Sequence, residues 1–199
     1  MTIQPITEGC YYHIYNRGVN GMTIFREKKN YRRFLENYVF YCSKAIKTLS
    51  YCLLKNHFHL LVYINENVQE PRRDGKEGMF RLNASTQLGH CFNSYAQYFN
   101  KNYQRTGPVF ESPFERKLLD DKQYIKSVIS YCNRNAVHHG FVNDIREWEY
   151  SSYSAIVKGD KTIVAADEVI SRYESVDQFT AAHQVFIPDE LAEKYIIEF

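Results

Sequence analysis

Two histidines stand one residue apart in an apolar stretch, LLKNHFHLLVY at residues 53–63. Side chains on a strand alternate between its two faces, so His57 and His59 project from one face while Phe58 projects from the other. Two neighbouring imidazoles are suited to binding one metal ion. A bare motif of this length is frequent by chance, and taken alone it favours two buried, hydrogen-bonded histidines that have no chemical role.

Nearby residues argue against other histidine motifs. A histidine-triad nucleotide hydrolase would need a third histidine two residues after His59, where Leu61 stands. A two-histidine phosphodiesterase would need Ser or Thr two residues after a histidine, and a second copy of the motif. A zinc hydrolase would need further His or Asp ligands, and residues 56–63 supply none.

A second candidate group lies in SYCNRNAVHHG at residues 130–140. Tyr131 and Asn135 are four residues apart and therefore share one face of a predicted helix. The Asn135 amide oxygen is a hard ligand that would complete a site begun by two imidazoles, and such a site suits Mg²⁺ or Mn²⁺. The Tyr131 phenol would then be a candidate nucleophile toward a phosphate held by the metal. The alternative for Tyr131 is a packing role without chemistry. Tyr124, two turns earlier on the same helical face, is either a core residue or a second nucleophile.

The elements that must position these residues follow from hydrophobic periodicity and turn signals. Strands are predicted at residues 10–16, 47–54, 57–64 and 109–119, and helices at residues 28–44, 83–103 and 122–137. Ser85 is a plausible N-cap of the second helix, and Asp120 or Asp121 of the third. A polar connection is expected over residues 65–82, and one helix over residues 165–183.

This order of elements predicts an α+β fold, a ferredoxin-like antiparallel sheet with helices packed on one face. The chain of 199 residues has the length of one domain with an appended tail. We expect a catalytic domain at residues 1–158 and an acidic, partly helical C-terminal extension at residues 159–199.

The charge distribution suggests a polyanionic partner. Residues 17–55 hold nine Lys or Arg against two acids, whereas residues 160–199 hold nine acids against three bases. A solvated helix face explains the first cluster equally well when it is taken alone. Four basic residues are candidate contacts to phosphates or bases: Arg17, Arg105, Arg116 and Lys117. The alternative for each of them is a solvated surface charge without a role in binding.

Other features are consistent with a cytoplasmic protein. The N-terminal residues lack the pattern of a secretory leader, and no stretch is apolar enough to span a membrane. The five cysteines are scattered without a C-x-x-C pair, which favours reduced, structural thiols.

The two candidate groups, HFH at residues 57–59 followed by Tyr131-x-x-x-Asn135, resemble the single-tyrosine HUH transposases, specifically the REP-associated tyrosine transposases. Further matching stretches are YYHIYNRG (11–18), FNKNYQRTGPVFESPFERK (99–117), HHGFV (138–142) and WEYSSY (148–153). They cover about residues 10–155 in the family's order. The sequence departs from the family at Asn133, where a histidine is common, and at Ala136, where a proline is common.

The resemblance implies a ferredoxin-like fold that binds single-stranded or hairpin DNA and a divalent metal, Mg²⁺ or Mn²⁺. It implies that His57, His59 and Asn135 are the metal ligands and that Tyr131 is the nucleophile. Cleavage would leave a 5′-phosphotyrosine and a free 3′-hydroxyl. The wider family includes dimers, and the REP-associated branch is able to act as a monomer.

The function predicted from the sequence is therefore metal-dependent cleavage and rejoining of single-stranded or hairpin DNA. Two alternatives remain open at this point. The first is a catalytically silent, single-stranded nucleic-acid-binding domain derived from such an enzyme. The second is a metal-dependent nuclease that uses water as its nucleophile.

Overall fold

The computed structural model describes residues 4–72 and 77–184. The strands in these ranges are β1 (Tyr11–Arg17), β2 (Ile46–Leu53), β3 (His57–Ile64), β4 (Gln69–Pro71), β5 (Met79–Arg81) and β6 (Glu115–Leu119). The α-helices are α1 (Lys28–Cys42), α2 (Ala84–Asn102), α3 (Ile125–His138), α4 (Tyr153–Lys158), α5 (Ala166–Ser171) and α6 (Val176–Ala182). None of the described helices is both long and apolar enough to cross a membrane.

Four strands form one antiparallel sheet in the order β2-β3-β1-β6. The register sets Tyr15 of β1 opposite His59 of β3, and Arg17 opposite His57. On the other side of β1, His13 is opposite Lys117 of β6. Residues that face each other across a ladder share one face of the sheet, so these side chains converge on the face that carries the histidine pair.

The opposite face of the sheet carries the main aromatic core. Phe58 lies between the two histidines in sequence and is fully buried, with its ring centroid 4.9 Å from that of Phe34 on α1 and 5.3 Å from that of Phe92 on α2. The helices α1 and α2 therefore cover this face. Their apolar stripes, spaced three and four residues apart, produce the burial that holds them there.

The histidine face is covered by α3, whose Tyr131 ring lies 5.6 Å from the His59 ring. The α+β class and the ferredoxin-like antiparallel sheet are confirmed, but the layering differs from the expected single helical face because helices pack on both. The physical reason is visible in β3, where every residue except Tyr63 is buried. A strand whose side chains are buried on both faces, rather than on alternate positions only, requires cover on both faces.

Several element boundaries also differ from the prediction. The last strand begins at Glu115, not at residue 109. Pro113, two residues before it, has no N–H to donate to a ladder. The N-cap of α2 is Asn83, not Ser85, because the Asn83 side chain accepts a hydrogen bond from Thr86 N at 3.0 Å. At the third helix, the Asp121 side chain caps a 3₁₀ turn (Lys122–Tyr124), and the α-helix itself begins at Ile125.

Two segments contain more secondary-structure elements than the sequence predicted. The connection at residues 65–82 contains the small ladder formed by β4 and β5; residues 73–76 lie outside the described ranges. The single helix predicted at residues 165–183 is two helices, α5 and α6. They are separated at Glu174, whose φ of 69° lies outside the helical region, and Ser175 caps the second by accepting from Gln178 N.

The described part of the C-terminal extension packs onto the body. Val164 pairs in parallel with Thr48 of β2, which covers that edge of the sheet. Tyr173 and Phe179 are buried in the same hydrophobic cluster as the sheet, and Tyr173 Oη donates to Lys126 O on α3 at 3.0 Å. Residues 185–199 lie outside the described ranges, and the proposed boundary at residue 158 stays a prediction.

Phe58→Ala is expected to lower the free energy of unfolding by about 3–5 kcal/mol, because it opens a cavity among packed aromatic rings. Urea denaturation of the full chain measures this loss. Phe40→Ala is the matched control, since the Phe40 side chain is 72% exposed and its removal should change stability by only about 0.5 kcal/mol. Equal losses for the two variants would contradict the assignment of Phe58 to the core.

Candidate functional site

The histidine pair lies in a dry region between the sheet and α3. His57 is 3% exposed and His59 is fully buried, and their ring centroids are 5.2 Å apart with nearly perpendicular planes. Alternation along β3 places both rings on one face, as the sequence predicted. The Nε2 atoms of both rings are shielded from solvent.

Each imidazole is oriented through its Nδ1 atom. His57 Nδ1 lies 2.9 Å from Asn56 Oδ1, and because an amide oxygen only accepts, Nδ1 is the donor. His59 Nδ1 lies 2.9 Å from Nε2 of His13, which is on β1. In a neutral ring whose Nδ1 carries the proton, Nε2 keeps the lone pair that a metal ion requires.

Helix α3 brings the two later residues to the same place. The Tyr131 ring is 5.6 Å from the His59 ring and 6.3 Å from the His13 ring, in edge-on orientation to both. Asn135, one turn further along, is fully buried beside His57. Neither its Oδ1 nor its Nδ2 makes a hydrogen bond of normal geometry within the described ranges. The four residues that the sequence singled out therefore meet at one point.

Burial determines the charge state of the pair. It lowers the pKa of His57 to about 4, an effect to which the nearby His139 and Arg17 add while Asn135 opposes it. Burial also places the pKa of His59 well below its ordinary value, and the neighbouring histidines lower it further. Both rings are neutral near pH 7, which is the form that ligates metals.

The donor set fits a divalent cation, on the evidence of the buried Asn135 amide. No cluster of three His, Cys, Asp or Glu side chains suited to a metal occurs in residues 4–72 and 77–184. Asn135 offers an amide oxygen beside His57 as a candidate third donor. Such a mixed, incomplete set leaves coordination positions for water or phosphate.

The four candidate DNA contacts are divided between the faces of the sheet. Arg17 reaches the histidine face, opposite His57, and its Nε is paired with Glu111 Oε1 at 2.8 Å. Lys117 shares that face through its register with His13. Arg116 projects to the opposite face and stacks on the Phe114 ring at 4.1 Å. Arg105 follows α2 on that opposite side of the sheet, and lies 5.9 Å from the Phe99 ring.

Two residues near the site were not predicted to belong to it. His13 contacts His59 directly, and the alternation of YYHIYNRG places it on the same strand face as Arg17. Recognising the contact required the pairing of β1 with β3, which sequence alternation does not supply. His139 lies with its ring centroid 5.0 Å from that of His57, at the half-buried rim of the site.

Asn133 holds α3 from the side away from the histidines. Its Oδ1 accepts hydrogen bonds from Ser152 Oγ at 2.5 Å and Ser50 Oγ at 3.2 Å. Its Nδ2 lies 3.1 Å from His183 Nε2, and His183 Nδ1 donates to Phe179 O at 2.7 Å. Asn133, where the resembling family commonly has histidine, thus fastens α3 to β2 and to the C-terminal extension.

Ala136, the second departure, is fully buried with Cys52, Leu54 and Cys132 between α3 and the sheet. The helix continues past it to His138. A small residue here lets α3 approach the sheet closely, and the continuous helix keeps Asn135 one turn from Tyr131.

Comparison with known proteins gives two informative similarities. No family model matches the chain. A curated protein from Haemophilus influenzae, named "Putative REP-associated tyrosine transposase", is 28% identical over 132 residues, which are 65% of this chain and 68% of that protein. The fold is similar to that of a solved REP-associated tyrosine transposase bound to a REP hairpin, with a TM-score of 0.61, 12% identity, and coverage of 84% of this chain and 89% of that one.

The relative and the solved structure carry the same family description, and it is the one that the motifs resemble. The resemblance to the REP-associated tyrosine transposases is therefore confirmed. At 12% identity the structural likeness concerns the fold alone.

The burial of His183 predicts a pH dependence of stability. Burial lowers the pKa of His183 to about 4, so the folded state resists protonation more than the unfolded chain does. The stabilisation is complete above the ordinary histidine pKa and is lost progressively as the pH falls toward 4, by up to about 3 kcal/mol. Urea denaturation of the wild type and His183→Gln across this range measures it.

His183→Gln is expected to be less stable at neutral pH but to show a shallower loss on acidification. The comparison between the two proteins removes the contributions that other titrating groups share. Parallel acid profiles for the two would show that His183 is not the group responsible.

Proposed function

We propose that the chain is a metal-dependent DNA transposase that cleaves and rejoins single-stranded or hairpin DNA through a 5′-phosphotyrosine intermediate. The observation that carries the proposal is the meeting of the Tyr131 phenol and the Asn135 amide with the paired imidazoles of His57 and His59. The similarity to a protein described as a REP-associated tyrosine transposase supports DNA processing as the class of activity.

The covalent step is a transesterification at phosphorus. Tyr131 Oη forms a bond to the phosphorus atom, while the bond from phosphorus to the 3′-oxygen breaks. The phenol loses its proton, and the departing 3′-oxygen gains one. Attack by a second 3′-hydroxyl on the phosphotyrosine reverses the step and joins new ends, so the phosphodiester bond energy is conserved without a nucleotide cofactor.

His57 and His59, through Nε2, and Asn135, through Oδ1, would hold Mg²⁺ or Mn²⁺. A divalent cation bound there supplies polarisation of the phosphoryl group, which matters because phenols, with a pKa of about 10, are weak nucleophiles near neutral pH. The protein contributes neutral imidazoles, a rigid strand and a helix that fixes the distance between nucleophile and ligands.

The β1-β6 half of the histidine face is the proposed path for DNA. Helix α3 covers β2 and β3 on this face, whereas β6 is exposed or half-buried along Glu115–Leu119 except at its last residue. Arg17 and Lys117 lie on this half and would neutralise phosphates, while Arg105 and Arg116 would contact DNA that extends around the domain. The similar solved structure is bound to a REP hairpin, which supports hairpin DNA as the substrate.

The burial of Tyr131 favours a second candidate. Its side chain is 6% exposed and its hydroxyl is shielded from solvent, so a phosphodiester reaches the phenol only after a local movement. A catalytically silent domain that binds single-stranded or hairpin DNA on the same surface would have no need of such a movement.

Tyr131→Phe is expected to abolish a covalent protein–DNA adduct that the wild type forms. The protein is incubated with labelled hairpin DNA bearing a single-stranded flank and Mg²⁺ or Mn²⁺, and adducts are resolved on a denaturing gel. Tyr124→Phe is the matched control. Tyr124 is the last residue of the 3₁₀ turn before α3, and its substitution is expected to leave adduct formation intact.

The assay separates all the candidates. Binding without cleavage by the wild type identifies the silent domain. Cleavage without an adduct identifies a nuclease that uses water. An adduct that survives in Tyr131→Phe and disappears in Tyr124→Phe would transfer the nucleophile to Tyr124.

Lys117→Ala is expected to weaken DNA binding and to reduce the slope of log affinity against log salt concentration by about 1, because one phosphate contact is lost. Fluorescence anisotropy over a salt series measures the slope. Lys161→Ala is the control, since Lys161 lies in the C-terminal extension, paired with Asp167. Equal slopes for wild type and Lys117→Ala would exclude Lys117 from the DNA path.

A further inference from the structure

His13 is a buried polar residue that the proposed reaction does not use. It is fully buried on β1, two residues from Tyr15, which is the register partner of His59. This diagonal placement brings its Nε2 to 2.9 Å from His59 Nδ1, with the two ring planes only 18° apart. The ring centroids are 5.1 Å apart, so the two nearly parallel rings lie end to end with their nitrogen atoms facing each other, which is the geometry of a directed hydrogen bond.

The direction of this bond follows from proton accounting. If His59 offers the lone pair of Nε2 to a metal, the proton of its neutral ring is on Nδ1. Nδ1 then donates, and His13 Nε2 must accept. His13 is thereby required to carry its own proton on Nδ1, so one imidazole determines the tautomer of the next.

The other imidazole of the pair is oriented by different chemistry. His57 Nδ1 donates to the amide oxygen of Asn56, the preceding residue in the chain. That partner is local in sequence, whereas His13 comes from another strand and depends on the pairing of β1 with β3. Both rings of the pair are thus hydrogen-bonded through Nδ1, one to a neighbour in sequence and the other to a residue on a different strand.

We propose that His13 is a positioning residue that fixes the tautomer and the ring orientation of His59, so that His59 Nε2 faces the metal. This inference rests on the proposed function, because it presumes that His59 is a metal ligand. His13 is not itself a third ligand: its Nε2 is engaged by His59, and residues 4–72 and 77–184 contain no metal-binding cluster of three His, Cys, Asp or Glu.

The surroundings of His13 restrict its ring to this task. The Tyr15 ring lies 5.0 Å away and the Tyr131 ring 6.3 Å away, which leaves the imidazole little freedom to rotate. A fixed hydrogen-bond acceptor holds its donor ring in place. Loss of such a partner typically lowers metal affinity by about 10- to 100-fold.

The first experiment measures Mn²⁺ binding to the full chain without DNA, by the electron paramagnetic resonance signal of free Mn²⁺. His13→Phe keeps a buried ring but removes the acceptor, and is expected to weaken binding about 10- to 100-fold. His13→Gln offers an amide oxygen as a replacement acceptor and is expected to restore part of the affinity. Ile14→Val, on the opposite face of the same strand, is the control for general destabilisation and should bind as the wild type does.

The second experiment does not depend on whether the variants fold. Long-range proton–nitrogen correlation spectra of the wild type report which nitrogen of each imidazole carries the proton. We expect His59 to be protonated at Nδ1 and unprotonated at Nε2. Protonation of His59 at Nε2 in the metal-free protein would overturn the proposal.

The outcomes distinguish this inference from the function on which it rests. Wild-type affinity for Mn²⁺ in His13→Phe overturns the positioning role and leaves the metal site intact. Absence of Mn²⁺ binding by the wild type overturns the metal site and the positioning role together. Weak binding by His13→Phe, rescue by His13→Gln and an Nδ1-protonated His59 together support the inference.

Discussion

The packing of α3 against the histidine face of the sheet is the constraint on which the candidate site depends. Cys132 and Ala136, four residues apart, form the stripe that seats the helix against Cys52 and Leu54 of the sheet side. The Cys132 thiol also reaches the carbonyl of His59 at 3.5 Å. Tyr131 and Asn135 precede those two residues by one position each, so the seating of one stripe turns the other toward the imidazoles. The orientation of α3 about its own axis therefore determines both how the helix packs on the sheet and where Tyr131 and Asn135 point.

Burial has two consequences at this site, and they act in the same direction. It lowers the pKa values of the paired histidines and so keeps their nitrogen lone pairs available. It also surrounds the Asn135 amide, whose buried polar atoms lack hydrogen bonds of normal geometry in the described ranges, and such an arrangement typically costs about 1–3 kcal/mol. A fold that tolerates this cost gains an amide oxygen already stripped of water. In the proposed function, a cation coordinated by this oxygen would offset the cost.

Much of this arrangement was predictable, because it follows from local periodicity. Two-residue alternation placed His57 and His59 on one face, and four-residue spacing placed Tyr131 and Asn135 on one side of a helix. What the sequence did not reveal is non-local. His13 joins the site only through the register of β1 with β3, and α3 lies on the opposite face from α1 and α2 because both faces of β3 need cover. The break between α5 and α6 depends on one backbone conformation, at Glu174, which hydrophobic spacing does not encode.

Helix α3 is held from two directions, and this bears on how DNA would reach the phenol. Apolar contacts fix it to the sheet through Cys132 and Ala136, while Asn133 fixes it to Ser50, Ser152 and the extension residue His183. Displacing a helix that is held on both sides would break the core contacts and the buried hydrogen bonds together. The side chains of Arg116, Lys117 and Leu118 on β6, and that of His139 at the rim of the site, are only half-buried. In the proposed function, access to Tyr131 would therefore come from movement of this half-buried rim, and the helix that carries the proposed nucleophile would stay in place.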